Sequence, residues 1–433
     1  PGPWPTGEID PTHGVLHRAE FTIAESSIHD DARTWLVFDG VRDQADVWLD
    51  GGYLGDTDGG FQPHEFEVSS NTAAQREHLL AIEVTADQID DMDSIDGGVW
   101  APVRIETSGP VRLRRHRIVC LDADNERATL RIVVDADSVD DRDITLRTRV
   151  GDHEHGLDQR VAAGSNRIEW VVHIARPRLW WPHSMGDQPM HHLTLDVLTD
   201  ADEISDHVER DIGLRSVRMN NWIWSINGER LFLAGTSAED SAAARDDPTA
   251  DVDLARELGV DLLRLRDHVR TPATYAAADE AGLLIWQDLP GADGIRRSAT
   301  RRATRLGRAT VGLLGHHPSI ATWMVPASSP IERRVNRAVR SADPSRPEVS
   351  VSGTMPAWLR GDVTRLPTTI AAVPRFARFV DGGDGAAEST IRFVAEVVRR
   401  VKYRPAGGFT LGTLDHASAR AAISDVCRDV LTT

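Results

Sequence analysis

Pro318 and Pro326 bracket a short, mostly apolar run, Ser-Ile-Ala-Thr-Trp-Met-Val. A run of that length closed by proline on both sides reads as a buried parallel strand with a turn at its carboxyl end. The residues before it repeat the same unit. Residues 230–236 are an apolar strand ending in Gly-Thr, and 251–258 a helix. Strand 261–266 is followed by helix 272–281, and strand 283–288 by an Arg-rich helix over 298–314. Strand–helix alternation of this kind predicts a parallel α/β sheet. Downstream, 347–352, 368–373, 376–380 and 407–414 read as further strands. Residues 387–403 read as an amphipathic helix with Ile391, Val394, Val397 and Val398 on one face, and 417–431 as a closing helix.

Before residue 213 the period is different. Residues 34–39 (TWLVFD), 45–49 (ADVWL) and 79–84 (LLAIEV) are short strands separated by turn residues. Asp50-Gly51-Gly52 is a hairpin signal, because positive φ is easily reached there. Strands at this spacing predict a β-sandwich or jelly roll. Residues 111–117, 128–134, 144–150, 167–174 and 192–198 continue the alternation over about ninety residues, which predicts an immunoglobulin-like sandwich.

The totals restrict the partners. A length of 433 residues allows two to four domains. A net charge of −18 argues against nucleic acid and favours a neutral ligand or a salty medium. Lys402 is the one lysine among 49 basic residues, which reads as a genomic composition bias. No apolar run reaches the length of a membrane span. Cys120 and Cys427 are far apart in sequence and are expected to be buried free thiols, and no metal-ligand spacing or cofactor motif is present. The chain opens Pro-Gly-Pro-Trp, without Met or a signal-like segment, which leaves room for an upstream piece and makes a cytoplasmic location a default guess. Nothing bears on oligomeric state.

Several ordered motifs resemble glycoside hydrolase family 2, which includes β-galactosidases, β-glucuronidases and β-mannosidases. Residues 38–68 (FDGVRDQADVWLDGGYLGDTDGGFQPHEFEV) resemble the family's amino-terminal sugar-binding jelly roll, and Gly97-Gly98-Val99-Trp100-Ala101-Pro102-Val103 resembles its closing motif. Leu179-Trp180-Trp181-Pro182 resembles a signature of the central domain, with both indoles expected to anchor against the next domain. Thr271-Pro272-x-x-Tyr275, Ala278-Asp279-Glu280-Ala281-Gly282-Leu283, Leu284-Ile285-Trp286-Gln287-Asp288-Leu289-Pro290 and His317-Pro318-Ser319-Ile320 fit it at each step. The resemblance implies a multidomain chain: a jelly-roll β-sandwich over 1–108, an immunoglobulin-like β-sandwich over 109–212, and a carboxyl-terminal (β/α)8 TIM barrel over 213–433, short for its class.

It also implies a site at the carboxyl ends of the barrel strands. Arg264 and His268 match the family's Arg-x-x-x-His pattern lining the sugar subsite; by themselves they would read as salt-bridged surface groups. Trp286, Asp288 and Trp323 join the substrate-binding set, with Asp288 equally readable as the structural partner of an arginine. The family's acid/base Glu, preceded by Asn, follows the strand-four Trp after three residues. Counting from Trp323 places Ala327 and Ser328 there. A serine hydroxyl is far too weak an acid to protonate a leaving oxygen. Ser329 is no better, and Glu332, the nearest carboxylate, reads as the start of the next helix. The nucleophile position falls near Asp381, a weak candidate that reads more readily as an exposed turn residue. A retaining mechanism needs two carboxyls about 5–5.5 Å apart.

The expectation is therefore a family 2-like carbohydrate-active protein with hydrolysis of O-glycosyl bonds lost or much reduced and β-glycoside binding retained. An active retaining exo-β-glycosidase using displaced carboxylates is the first alternative, and a structural or protein-binding descendant the second.

Overall fold

The computed structural model describes residues 15–23, 32–41, 44–58, 62–72, 76–85, 98–199, 203–220, 223–238, 247–266, 268–289, 300–325, 330–350, 379–381, 408–413, 420 and 424. Contacts divide the chain into two compact units. The first comprises Pro1–His116, Val133–Glu169 and Leu193–Glu209; the second comprises Arg117–Ile132, Trp170–His192 and Arg210–Thr433.

In the first unit, Val15–Thr22, Glu77–Thr85, Gln44–Leu49 and Gly52–Asp58 form a four-stranded antiparallel sheet in that spatial order. Asp50 (φ 52°) and Gly51 (φ 79°) make the expected two-residue hairpin, both in the left-handed region that matches the twist of the flanking strands. His64–Glu67, Arg33–Phe38 and Val103–Ser108 form a second sheet. Alternating inward residues, among them Val47, Leu49, Leu80, Ile82 and Val84, bury a core with Leu36, Phe38 and Val68. This is the predicted sandwich of short strands. At its margin the guanidiniums of Arg33, Arg112 and Arg114 lie 4.6, 4.7 and 5.3 Å from the ring of buried Trp35. Further along, His153–Val161, Arg142–Val150, His191–Leu198 and Ile204–Ile212 form a four-stranded sheet. Gly164–Ala175, Arg127–Ser138 and Val111–Ala123 form a three-stranded one.

The second unit holds a seven-stranded sheet in the order Glu348–Ser350, Ile320–Val325, Leu284–Asp288, Leu262–Leu265, Leu233–Ala238, Gly408–Thr413, Phe379–Asp381. Every pairing is parallel. Helices Ala250–Glu257, Pro272–Ala281, Thr300–Leu314 and Pro330–Ala342 make the successive crossovers, the first three close to the predicted bounds. Of the strand expected over 376–380, residues 376–378 lie outside the described residues, and the described strand Phe379–Asp381 includes Asp381. The strand expected over 368–373 and the helices over 387–403 and 417–431 fall outside the described residues, 420 and 424 excepted.

One buried cluster gathers Leu233, Leu262 and Leu284 with Trp180, Trp224 and Ile226, and extends along the strands to Trp286 and Met324. Trp180 is fully buried, and its indole N–H donates to the Asp279 carbonyl at 2.9 Å. Trp181 packs at the margin of the same cluster. Helix Pro272–Ala281 ends on Gly282 at φ 67°, where glycine costs nothing. A Cβ there would sit 2.7 Å from the His183 nitrogen and 2.8 Å from the Gln188 amide nitrogen. Gly282→Ala is accordingly expected to destabilise the protein by about 1–3 kcal/mol, read as a lower urea midpoint at unchanged slope.

Candidate functional site

Parallel sheets present their strand carboxyl ends as one edge, and three neighbouring strands place side chains there that meet. Arg264, next to last in Leu262–Leu265, lies in register with Trp286 on the adjacent strand. Its guanidinium turns onto Asp288, with Nε 3.1 Å and Nη2 2.8 Å from the carboxylate oxygens. Nη2 also reaches the Met324 sulfur at 3.2 Å, and the guanidinium carbon lies 5.3 Å from the Trp286 ring centre. The four residues are 8%, 1%, 5% and 2% exposed for Arg264, Asp288, Met324 and Trp286 respectively. Asp288 is thus the partner of an arginine, and that arginine is the other sugar-subsite candidate. Both carboxylate oxygens accept from Arg264 and so orient the guanidinium.

His268 is buried in the loop that follows Arg264. Its Nδ1 donates to the Arg266 carbonyl, which assigns the proton to Nδ1. The loop is tied down by Gln287: its amide nitrogen donates to the His268 and Asp288 carbonyls, both at 2.7 Å. Tyr275 donates its hydroxyl to the Gln287 carbonyl oxygen at 2.7 Å. Burial pushes the Tyr275 phenol up, so it stays a donor at any ordinary pH. Arg270, also buried, is pinned by Asp251 at 2.8 Å. The segment that follows Arg264 is therefore positioned by buried hydrogen bonds as well as by buried Leu265 and Val269.

Trp323 does not join this group. Successive side chains of a strand point to opposite faces, and Met324 is the one that meets Arg264. The Trp323 indole N–H instead donates to Asp343 at 2.8 Å, beneath the Arg346 guanidinium 5.7 Å from its ring. Its indole is thus engaged by Asp343 and Arg346 and lies apart from the Arg264–Asp288 group. Asp381 ends its strand in register with Thr410. Glu332 lies in the first turn of Pro330–Ala342, as expected. Ala327, Ser328 and Ser329 lie outside the described residues. Cys120 is a free thiol, Cys427 lies outside the described residues, and among those described no group of His, Cys, Asp or Glu is arranged to hold a metal. Nor is any described helix long and apolar enough to cross a membrane.

The residues preceding the Trp323 strand carry the element that residue-by-residue reading missed. Arg346 donates to the carbonyls of Gly315, His317 and Ile320 at 3.0, 2.8 and 2.7 Å, and to Asp343 at 2.5 Å. Arg215 donates to the carbonyls of Pro318 and Ile320 at 2.8 and 2.5 Å. Asp279 takes His317 at 2.6 Å and the Ser319 amide at 3.0 Å. The Gly-His-His-Pro-Ser segment is thus a backbone turn whose carbonyls are held by two buried arginines. No local pattern announces it, because the partners stand about 30 and 100 residues away.

The described residues thus form short-stranded β-sheets followed in sequence by a parallel sheet with a polar cluster at its carboxyl edge. Residues 15–112 match the glycosyl hydrolase 2 galactose-binding domain-like family and 111–215 the glycosyl hydrolases family 2 domain. The chain belongs to glycoside hydrolase family 2. It is similar to an exo-β-D-glucosaminidase of Streptomyces avermitilis, 27% identical over 387 residues that cover 78% of this chain and 42% of that one. It is similar also to β-mannosidase B of Aspergillus clavatus, 22% identical over 70% of this chain and 42% of that one. Among solved structures, the exo-chitosanase of Amycolatopsis orientalis shares the fold at a TM-score of 0.68 and 21% identity, over 78% of this chain and 44% of that one. The chain spans about two fifths of the length of these relatives.

Proposed function

We propose that this protein binds a β-glycoside at the carboxyl edge of its parallel sheet and hydrolyses it slowly or not at all. In this reading residues 1–108 are the jelly roll, 109–212 the immunoglobulin-like sandwich, and 213–433 a compact (β/α)8 barrel. Its mouth carries Arg264, His268, Trp286 and Asp288. The observation that carries it is the closed Arg264–Asp288 pair beside Trp286: an oriented guanidinium and an aromatic ring suit sugar hydroxyls and a pyranose face, while the carboxylate is already engaged. The Ala327-Ser328 pair, where the family carries Asn-Glu, supplies no proton donor. The names of the relatives point to amino-sugar or mannose-type β-glycosides.

A live retaining exo-β-glycosidase is the second reading, and one observation favours it: Asp381 ends a strand at the same sheet edge, as a nucleophile would. Nitrophenyl β-glucosaminide, β-mannoside, β-galactoside and β-glucuronide separate the two. Such leaving groups need little acid assistance, so a surviving nucleophile shows as turnover. The first reading expects calorimetric binding of at least one parent sugar without nitrophenol release. Release abolished by Asp381→Ala installs the second, and the absence of binding to every sugar removes the first.

A further inference from the structure

The outer face of the four-stranded sheet in the first unit carries aromatic and acidic side chains that its core does not use. Strand register puts Tyr53, Trp48, Ala81 and Arg18 in one row across the four strands. The neighbouring row is Asp56, Asp46, Glu83 and Leu16. Alternation turns both rows away from the buried Ala45, Val47, Ile82 and Val84. Tyr53 is 57% exposed, and its ring centre lies 5.7 Å from that of Trp48 at an interplanar angle of 57°. The Tyr53 hydroxyl donates to Asp46 at 2.9 Å, which fixes the phenol ring. On the other flank Ala81 is too small to cover the indole, and Trp48 stays partly exposed.

The charge on this face is lopsided. Asp46, Asp56, Glu83 and, opposite the exposed Leu79, Glu20 stand against Arg18 alone. Among the described residues no hydrogen bond or ion pair engages the exposed carboxylates of Glu20, Asp56 or Glu83. Aromatic faces rimmed by carboxylates suit a saturated ring that stacks through its C–H face and carries a cation at its rim. The cation gains from the aromatic quadrupole and from charge-assisted hydrogen bonds together. Asp56, Asp46 and Glu83 sit on three adjacent strands and so span about 10 Å, more than one sugar ring covers. We infer that this face is a second carbohydrate site and holds a chain of amino sugars in their ammonium form. A basic peptide offers the same charge but no ring face for Tyr53 and Trp48. The chain is held here whether or not the sheet edge of the second unit binds sugar.

Calorimetric titration in mildly acidic, low-salt buffer tests this, with a glucosamine oligomer and the same oligomer N-acetylated. The amine form is expected to bind, to weaken as salt rises, and to bind more tightly than the uncharged acetylated form. Tyr53→Ala should weaken the amine form about five- to tenfold. Asp56→Asn/Glu83→Gln should weaken the amine form and leave the acetylated one unchanged. All three positions are exposed, so the urea midpoint should stay in place. The same losses are expected in the Arg264→Met/Asp288→Leu background, which separates this face from the sheet edge. Amine-form binding that is absent, or indifferent to both sets of substitutions, overturns the proposal. So does equal affinity for the two oligomers. Tighter binding of an oligolysine peptide than of the amine oligomer would make the face a protein-binding surface instead.

Discussion

Asp343→Ala is expected to cost about 3–5 kcal/mol of stability, because it strands the buried Arg346 cation. Asp343 is 1% exposed and accepts from Arg346 Nη1 at 2.5 Å, from Trp323 at 2.8 Å, and from the Ser345 amide and hydroxyl at 3.0 and 2.5 Å. Arg346 in turn holds three carbonyls of the 315–320 turn, so the loss spreads to the entry of a central strand. Asp343→Asn keeps an acceptor for Trp323 and Ser345 but not the charge, and should fall between. The urea midpoint reads all three proteins.

The same carboxyl gives the effect a pH signature. Burial pushes it up, but the Arg346 charge, then hydrogen bonds from Ser345, Trp323 and Arg346, outweigh burial and hold it below its ordinary 3.8. A folded value below the unfolded one means the contribution is complete above about pH 4 and fades as the pH falls through the folded value. The stability gap between the native protein and Asp343→Ala should therefore be flat near neutrality and narrow only in acid. A gap that widens in acid would contradict the assignment.

Arg264→Met alone, or Asp288→Leu alone, should each cost about 3–5 kcal/mol, since either removes the opposite charge that the remaining buried group faces at 2.8 Å. The double variant Arg264→Met/Asp288→Leu should recover most of that loss, because an apolar pair of similar volume replaces an ion pair at little net cost. Sugar binding should not recover with it. Stability regained with binding lost marks the pair as part of a recognition site. Stability and binding both restored would make the pair purely structural.

Much of the parallel sheet was legible because its signals are local. Prolines at 318 and 326, glycine at 282 and the switch from period two to strand–helix alternation each act within a few residues. Helix Pro272–Ala281 has its predicted bounds for that reason: proline opens it and a left-handed glycine closes it. The Arg264, Trp286 and Asp288 grouping could be proposed from the family's motif order, but not their mutual geometry. Asp288 accepted two readings in the sequence, and contact with Arg264 selected one.

What stayed illegible depends on which way side chains face and on partners far along the chain. Ile320–Val325 is buried at all six positions. With no polar side to mark a face, the sequence could not tell whether Trp323 or Met324 meets the site. Nor could it show Arg215 and Arg346, separated by more than a hundred residues, closing on the same turn. By itself the sequence determined the order and kind of elements, through turn chemistry and hydrophobic period. The tertiary structure alone decided the face each strand turns inward and the carbonyl each buried arginine satisfies, because those choices are made by non-local contact.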